Sequence, residues 1–181
     1  LPTTLRILAS CNIRHGGNDY SFVRAFRRAG HSVLVVPPES FVPRWETRWL
    51  RVLRRLARPA IIAEYNRELR AAAQAFQPDL FFVFKGDSVT ATTVEAVRAG
   101  GAVAINFYPD TSFDQEAAEA IEYYDWVFTT KPAQIDYLKG RYNFKNATFV
   151  SHAFDPEVHT SPKMFHRDWQ RDGCDVVFIG N

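Results

Sequence analysis

The sequence predicts a doubly wound, Rossmann-like α/β domain built on a parallel sheet. Three observations carry that expectation. Short apolar runs rich in β-branched and aromatic residues recur along the chain. They are continuous, not alternating, as strands covered on both faces must be. Helix-period segments lie between most of them, the strand-helix alternation of a crossover-connected sheet.

The first two runs are residues 5–8 and 33–36. Between them, residues 20–29 place Phe22, Val23 and Phe26 at helical spacing and stop at Gly30, a helix C-terminal signal. The interval to the third run, residues 80–84, holds two helical stretches, 47–58 and 61–76, which Pro59 is expected to separate. Gln77-Pro78-Asp79 then ends the second stretch and launches the strand. A helix over 90–98, stopped by Ala99-Gly100-Gly101, precedes a strand at 103–107. Helices at 114–124 and 132–138 alternate with strands at 126–129 and 148–150.

Residues 152–173 are polar and turn-rich, with Pro156 and Pro162, and lead into a fresh apolar run at 176–179. The expected organisation is therefore a domain over 1–172, with a linker from about 152. Residues 173–181 would be the first strand of a truncated second domain. Both ends look cut, since the chain starts without Met or an apolar signal region and stops directly on an apolar run.

With 181 residues, 46% hydrophobic and 23% charged, the composition excludes disordered and fibrous classes. No apolar run approaches the roughly 18 residues of a membrane span. Cys11 and Cys174 are too few for a disulfide scaffold or zinc cluster and fit a reducing compartment, so a cytoplasmic location is expected. The sequon Asn146-Ala147-Thr148 means nothing without a secretion signal.

The net charge of +2 conceals two opposed patches. Residues 44–58 carry six arginines against one Glu, and residues 110–125 carry six acids and no Lys or Arg. In the basic stretch Arg44, Arg48, Arg51, Arg55 and Arg58 recur every three or four residues, with Trp49, Val52, Leu53 and Leu56 on the other side. Such a helix can lie peripherally on an anionic inner membrane, or can bury its apolar side on the sheet and solvate its arginines. Nucleic acid is not an expected partner, because the remainder of the chain is net acidic and carries no recognised binding motif.

In open α/β sheets ligands bind beyond the carboxyl ends of the strands, so the residues following each strand are the candidates. In Arg14-His15-Gly16-Gly17-Asn18-Asp19, Gly16 and Gly17 permit close backbone approach and Asn18 opens a helix. A tight turn with Asn18 or Asp19 as cap explains the same letters, and the loop is neither a GxGxxG fingerprint nor a P-loop. His15 is a candidate general base or a solvated loop residue. Phe84-Lys85-Gly86-Asp87 sets a cation beside a carboxylate, suited to gripping a polar substrate or tuning a base, or to capping the next helix with a surface Lys. Asn106-Phe107-Tyr108-Pro109-Asp110 offers an aromatic shelf and an acid, or a Pro-Asp turn. Lys131 and His152 follow later strands, and Gly180 and Asn181 follow the last. His152, His159 and His166 are evenly spaced, but no Cys or carboxylate set completes a ligand pattern, so no metal is expected. No Asp-x-Asp pair is present.

Several of these segments in combination resemble the N-terminal half of GT-B glycosyltransferases, most closely the CgeB-like (spore-protein-like) group. Gln77-Pro-Asp-Leu-Phe-Phe-Val-Phe-Lys-Gly-Asp87 is similar to that group's PDLVLVFKGD segment. Val103-Ala-Ile-Asn-Phe-Tyr-Pro-Asp110 resembles its NWYPDD segment, with Thr111 where a second acid often sits. Asp125-Trp-Val-Phe-Thr-Thr-Lys131, His152-Ala-Phe-Asp-Pro-Glu-Val158 and Asp175-Val-Val-Phe-Ile-Gly-Asn181 resemble its later strand, its approach to the interdomain linker and the strand opening its second domain. The resemblance spans about residues 5–181.

It implies a two-domain enzyme without a metal or other cofactor that transfers a sugar from a nucleotide diphosphate sugar to an acceptor hydroxyl. The donor would bind mainly on the second domain and an unidentified acceptor on this one. Transfer needs a base and an electrostatic clamp on the leaving diphosphate. Asp87, Asp110 and His15 are the candidate bases. Lys85 would orient acceptor or phosphate, and Gly16, Gly17, Asn18, Tyr108, Lys131, His152, Gly180 and Asn181 are candidate substrate contacts. Residues 1–181 alone are expected to be inactive. A non-catalytic α/β partner-binding module and a sugar-nucleotide epimerase of the same architecture are the competing readings.

Overall fold

The computed structural model describes residues 4–42, 48–111 and 115–157. Six strands form one all-parallel sheet: β1 (Arg6–Ser10), β2 (Ser32–Val35), β3 (Leu80–Phe84), β4 (Val103–Tyr108), β5 (Trp126–Thr129) and β6 (Ala147–Phe149), in the order β2-β1-β3-β4-β5-β6. Five α-helices join them: α1 (Asn18–Arg28), α2 (Arg48–Phe76), α3 (Ala91–Ala99), α4 (Gln115–Ala120) and α5 (Pro132–Tyr142). The Rossmann-like α/β expectation holds. The expected strand at 176–179 and the domain boundary near 173 lie outside the described residues.

Side chains alternate across each strand, and here both faces are apolar. Leu8, Phe81, Val83, Ala104 and Val127 enter one core with Tyr65, Leu69 and Ala73 of α2, Val94 and Val97 of α3 and Leu138 of α5. Ile7, Ala9, Phe82 and Phe107 enter the other, against Val23 of α1. Burial on both sides explains why the strand sequences read as unbroken apolar runs. The second core is aromatic. The Phe22 ring of α1 lies 4.7 Å from that of Phe107 and 5.3 Å from that of Phe82, centroid to centroid, within the range of favourable aromatic pairs.

Each of three turns at the opposite, N-terminal edge of the sheet closes with a side chain that takes a backbone N–H from a neighbouring strand. Asp79 accepts from Arg6 N at 2.7 Å, Asp125 from Ala104 N at 2.8 Å and His31 Nδ1 from Leu5 N at 3.3 Å. Asp125 also pairs with Arg98 at 2.5 Å. The aspartates that open two of the recognised motifs thus hold strands in register.

The expected break at Pro59 is corrected. α2 runs through it as one helix of 29 residues. An interior proline forfeits one hydrogen bond and costs about 3 kcal/mol. Good helix formers flank Pro59, and the second half of α2 buries Tyr65, Leu69 and Ala73, which offsets that cost. The helix expected over 114–124 is α4 followed by a tighter 3-10 turn at Ile121–Tyr123, which buries Ile121.

Candidate functional site

The chain runs from β1 outward to β2, then returns through α2 to place β3 on the other side of β1. The loops after β1 and β3 therefore diverge, and a crevice opens between them. It is a cavity of about 500 Å³. Ser10, Cys11 and Asn12 reach it from the end of β1, Glu39 from the loop after β2, and Lys85, Gly86, Asp87 and Ser88 from the loop after β3. Asp19 of α1, Tyr65 of α2 and the apolar Pro38, Val42, Phe84 and Val89 complete the wall.

Two segments shape this wall. Lys85 and Gly86 adopt consecutive left-handed conformations, φ 63° and 98°. The turn is anchored by Lys85 N donating to Phe107 O at 2.9 Å and by Asn106 Nδ2 donating to Lys85 O at 2.9 Å. Here Asn106 of the aromatic motif serves the Lys-Gly-Asp motif. The β3 loop is fastened on its far side by Asn66 of α2, which is 2% exposed. Its amide donates to Ser88 O and Ile62 O, and its carbonyl accepts from Thr90 N at 2.9 Å.

The β1 loop is held by Asp19, whose carboxylate takes Asn12 N at 2.8 Å and its neighbour Tyr20 N at 3.1 Å. Gly17 is the N-cap of α1, with no side-chain cap. A Cβ there would meet Asp19 Oδ1 at 2.7 Å, so glycine makes room for the carboxylate. Gly16 and Gly17 build the turn and line neither this cavity nor the one described below.

Lys85 Nζ pairs with Asp110 Oδ2 at 2.6 Å, across the ends of β3 and β4. Both groups are substantially exposed, so the pair adds about 0–1 kcal/mol of stability and serves to place charge. Asp87 lines the cavity and Asp110 stands at its edge through Lys85. His15 is exposed, its ring 5.4 Å from that of Tyr20, and it lines neither cavity.

A second cavity of about 350 Å³ lies between α1 and the stretch after β6. Phe22, Ala25, Phe107 and Pro109 give it an apolar lining, and Asn18 and His152 stand on its wall. The stretch is latched to α1 by charge. Ser21 Oγ donates to Asp155 at 2.7 Å, Arg24 pairs with Asp155 and with Glu157, and Arg28 pairs with Glu157. Of the remaining candidates, Tyr108 is 2% exposed and lines neither cavity. Lys131 precedes α5, with Lys131 N donating to Thr129 Oγ1. Gly180 and Asn181 lie outside the described residues.

Three buried groups hold their protons more tightly than usual. Burial pushes the Cys11 thiol up to about 12, with the Asp19 charge adding to the effect, so this cavity-lining cysteine stays protonated and a poor nucleophile at neutral pH. Burial likewise raises the phenols of Tyr65 and Tyr124. Among the described residues no group of three or more His, Cys, Asp or Glu side chains is arranged to hold a metal ion. No helix among them is long and apolar enough to cross a membrane.

Ser10 and Tyr65 escape sequence reasoning. Tyr65 and Asn66 leave one usable signal, polar residues set directly before the buried Leu69 and Ala73 on the face that α2 turns to the sheet. No protein-family model matches the chain, and no curated protein matches it significantly.

Proposed function

We propose that this chain is the acceptor side of a glycosyltransferase that uses a nucleotide diphosphate sugar, with the polar cavity at the switch point as the acceptor site. The observation that carries the reading is the convergence of the two most telling motifs. The Lys85-Gly86-Asp87 turn and the Asp110 end of β4 meet at one cavity mouth, joined by the Lys85–Asp110 pair. Asp110 does not line the cavity itself and reaches its edge through Lys85.

In the proposed reaction the acceptor oxygen bonds to the anomeric carbon as the bond from that carbon to the diphosphate breaks. The acceptor proton passes to a base, and the electron pair leaves with the diphosphate. Asp87 is the base in this reading, because it alone of the three candidates lines the cavity. Asp110 holds Lys85, whose ammonium orients the acceptor or faces the leaving diphosphate. The donor is held mainly by a further domain.

The test uses the chain together with whatever its gene encodes downstream, incubated with nucleotide diphosphate sugars and polyol acceptors. Acceptor-dependent release of nucleoside diphosphate is expected, and Asp87→Asn should lower kcat about 10²- to 10⁴-fold. Absence of release from every donor would defeat the reading, and epimerised donor formed without an acceptor would point to the epimerase alternative. We further propose peripheral contact of α2 with anionic membrane. Leu56 is 75% exposed between the exposed Arg55 and Arg58, an apolar side chain in a basic setting.

A further inference from the structure

The turn that carries Asp110 is held by the corner between β5 and α5. Parallel register sets Tyr108 beside Thr129, so β4 and β5 end side by side. Thr130 Oγ1 then donates to Pro109 O at 3.0 Å, and Gln134 Nε2 donates to Asp110 O. Thr129, Thr130 and Gln134 are all buried.

The Gln134 amide has one possible orientation. Asp110 O can only accept, so the amide nitrogen must face it and Oε1 must face Thr129. The Thr129 hydroxyl donates to Oε1 and accepts Lys131 N at 3.1 Å, which uses its single proton and places its lone pair. Gln134 stands third in α5, where a Gln ordinarily reaches back to the N–H of the capping residue. Lys131 is that residue, and Thr129 serves its N–H. The glutamine side chain is therefore spent on the β4 turn and not on its own helix.

Asp110 depends on such a hold. Its side chain is 49% exposed and that of Lys85 40% exposed, and an ion pair that solvent reaches does little to order its own partners. The carboxylate stands where its backbone puts it. Two consecutive carbonyls of that backbone are fixed by buried donors, and the carboxylate above them holds Lys85 Nζ at 2.6 Å.

We infer, resting on the acceptor-site reading above, that Gln134 is a positioning residue of that site. It acts through the Asp110 turn, which sets where the Lys85 ammonium stands at the cavity mouth. A buried amide on α5 thus governs a charge delivered from β3.

The experiment labels the lysines of the chain with limiting acetic anhydride and reads each by mass spectrometry, with the exposed Lys139 of α5 as reference. An amine freed from its carboxylate labels faster. Gln134→Leu should raise Lys85 labelling about two- to fivefold relative to Lys139, the range that loss of an exposed ion pair allows. Asp110→Asn should do the same, and Gln134→Leu should add nothing to it. General loosening of the fold or of α5 would raise both lysines alike. Should Gln134→Leu fold poorly, Thr130→Val removes only the bond to Pro109 O and should raise Lys85 labelling by a smaller factor, which Thr130→Ser restores. Unchanged Lys85 labelling in these variants, or additive effects of Gln134→Leu and Asp110→Asn, overturns the inference. In the turnover assay above, Gln134→Leu should lower kcat by up to about 10²-fold, without adding to the loss in Asp110→Asn. Full turnover with Lys85 freed overturns the role of Gln134 in the site and leaves the acceptor-site reading, which stands on Asp87, intact. Absence of turnover in the unmodified protein defeats that reading instead, while the labelling still decides whether Gln134 holds the pair.

Discussion

At Gly86 the backbone sits at φ 98°, and a Cβ there would stand 3.2 Å from Asn106 Nδ2, 3.3 Å from Val83 Cγ1 and 3.4 Å from the Tyr124 hydroxyl. A side chain there is strained by the conformation and tight in space. Gly101 has the same φ, 98°, but nothing within 4 Å of an added Cβ. The two sites separate strain from crowding. Gly101→Ala should cost about 1 kcal/mol and Gly86→Ala about 2–3 kcal/mol by urea unfolding. Only Gly86→Ala should perturb the Asp87 amide, and equal costs at the two sites would show that crowding at Gly86 adds nothing. The glycine was visible as a letter of the Phe-Lys-Gly-Asp motif, but the reason for it was not. Asn106 and Tyr124 reach Gly86 from elsewhere on the chain, and no local pattern announces them.

At the scale of elements, the strands were legible because burial on two faces leaves an unmistakable mark. The expected 80–84 and 126–129 coincide with β3 and β5. α2 was legible as two helical stretches but not as one, since Pro59 is a strong local signal that tertiary packing overrides. The Lys85–Asp110 pair was hidden for a related reason. Parallel register sets Phe84 beside Phe107, and only that register brings the two loops together. Sequence proximity had coupled Lys85 to Asp87. α2 also carries the membrane proposal. The chain should sediment with vesicles containing phosphatidylglycerol and not with phosphatidylcholine alone, and the triple variant R48E, R51E, R55E should stay in the supernatant. Failure of the unmodified chain to sediment would end the proposal.

For the whole molecule, the buried thiol and phenols set an alkaline limit. Cys11, ordinarily near 9.0, is pushed up to about 12, and Tyr65 and Tyr124 are raised above their ordinary 10.0. The native state keeps these protons after the unfolded chain has released them, so it binds more protons and loses stability as pH rises. Urea midpoints should therefore hold near neutrality and fall above about pH 9, by up to about 1.4 kcal/mol per pH unit for each group. Tyr124→Phe should keep the neutral midpoint and flatten the alkaline fall. An unchanged slope in that variant would show that Tyr124 does not contribute.

The two cavities differ in what maintains them. The first is walled by the loops after β1, β2 and β3 together with α1 and α2. The apolar one has a wall that reaches α1 across about 130 residues of chain, fastened by Asp155 and Glu157 to Ser21, Arg24 and Arg28. Such a wall can swing open while both cores stay intact, at a free energy set by a few ion pairs. The outer pair, Arg28 with the half-exposed Glu157, is the part of the latch that salt reaches first. Added salt should loosen that outer pair before it weakens the buried Arg24–Asp155 contact beneath it.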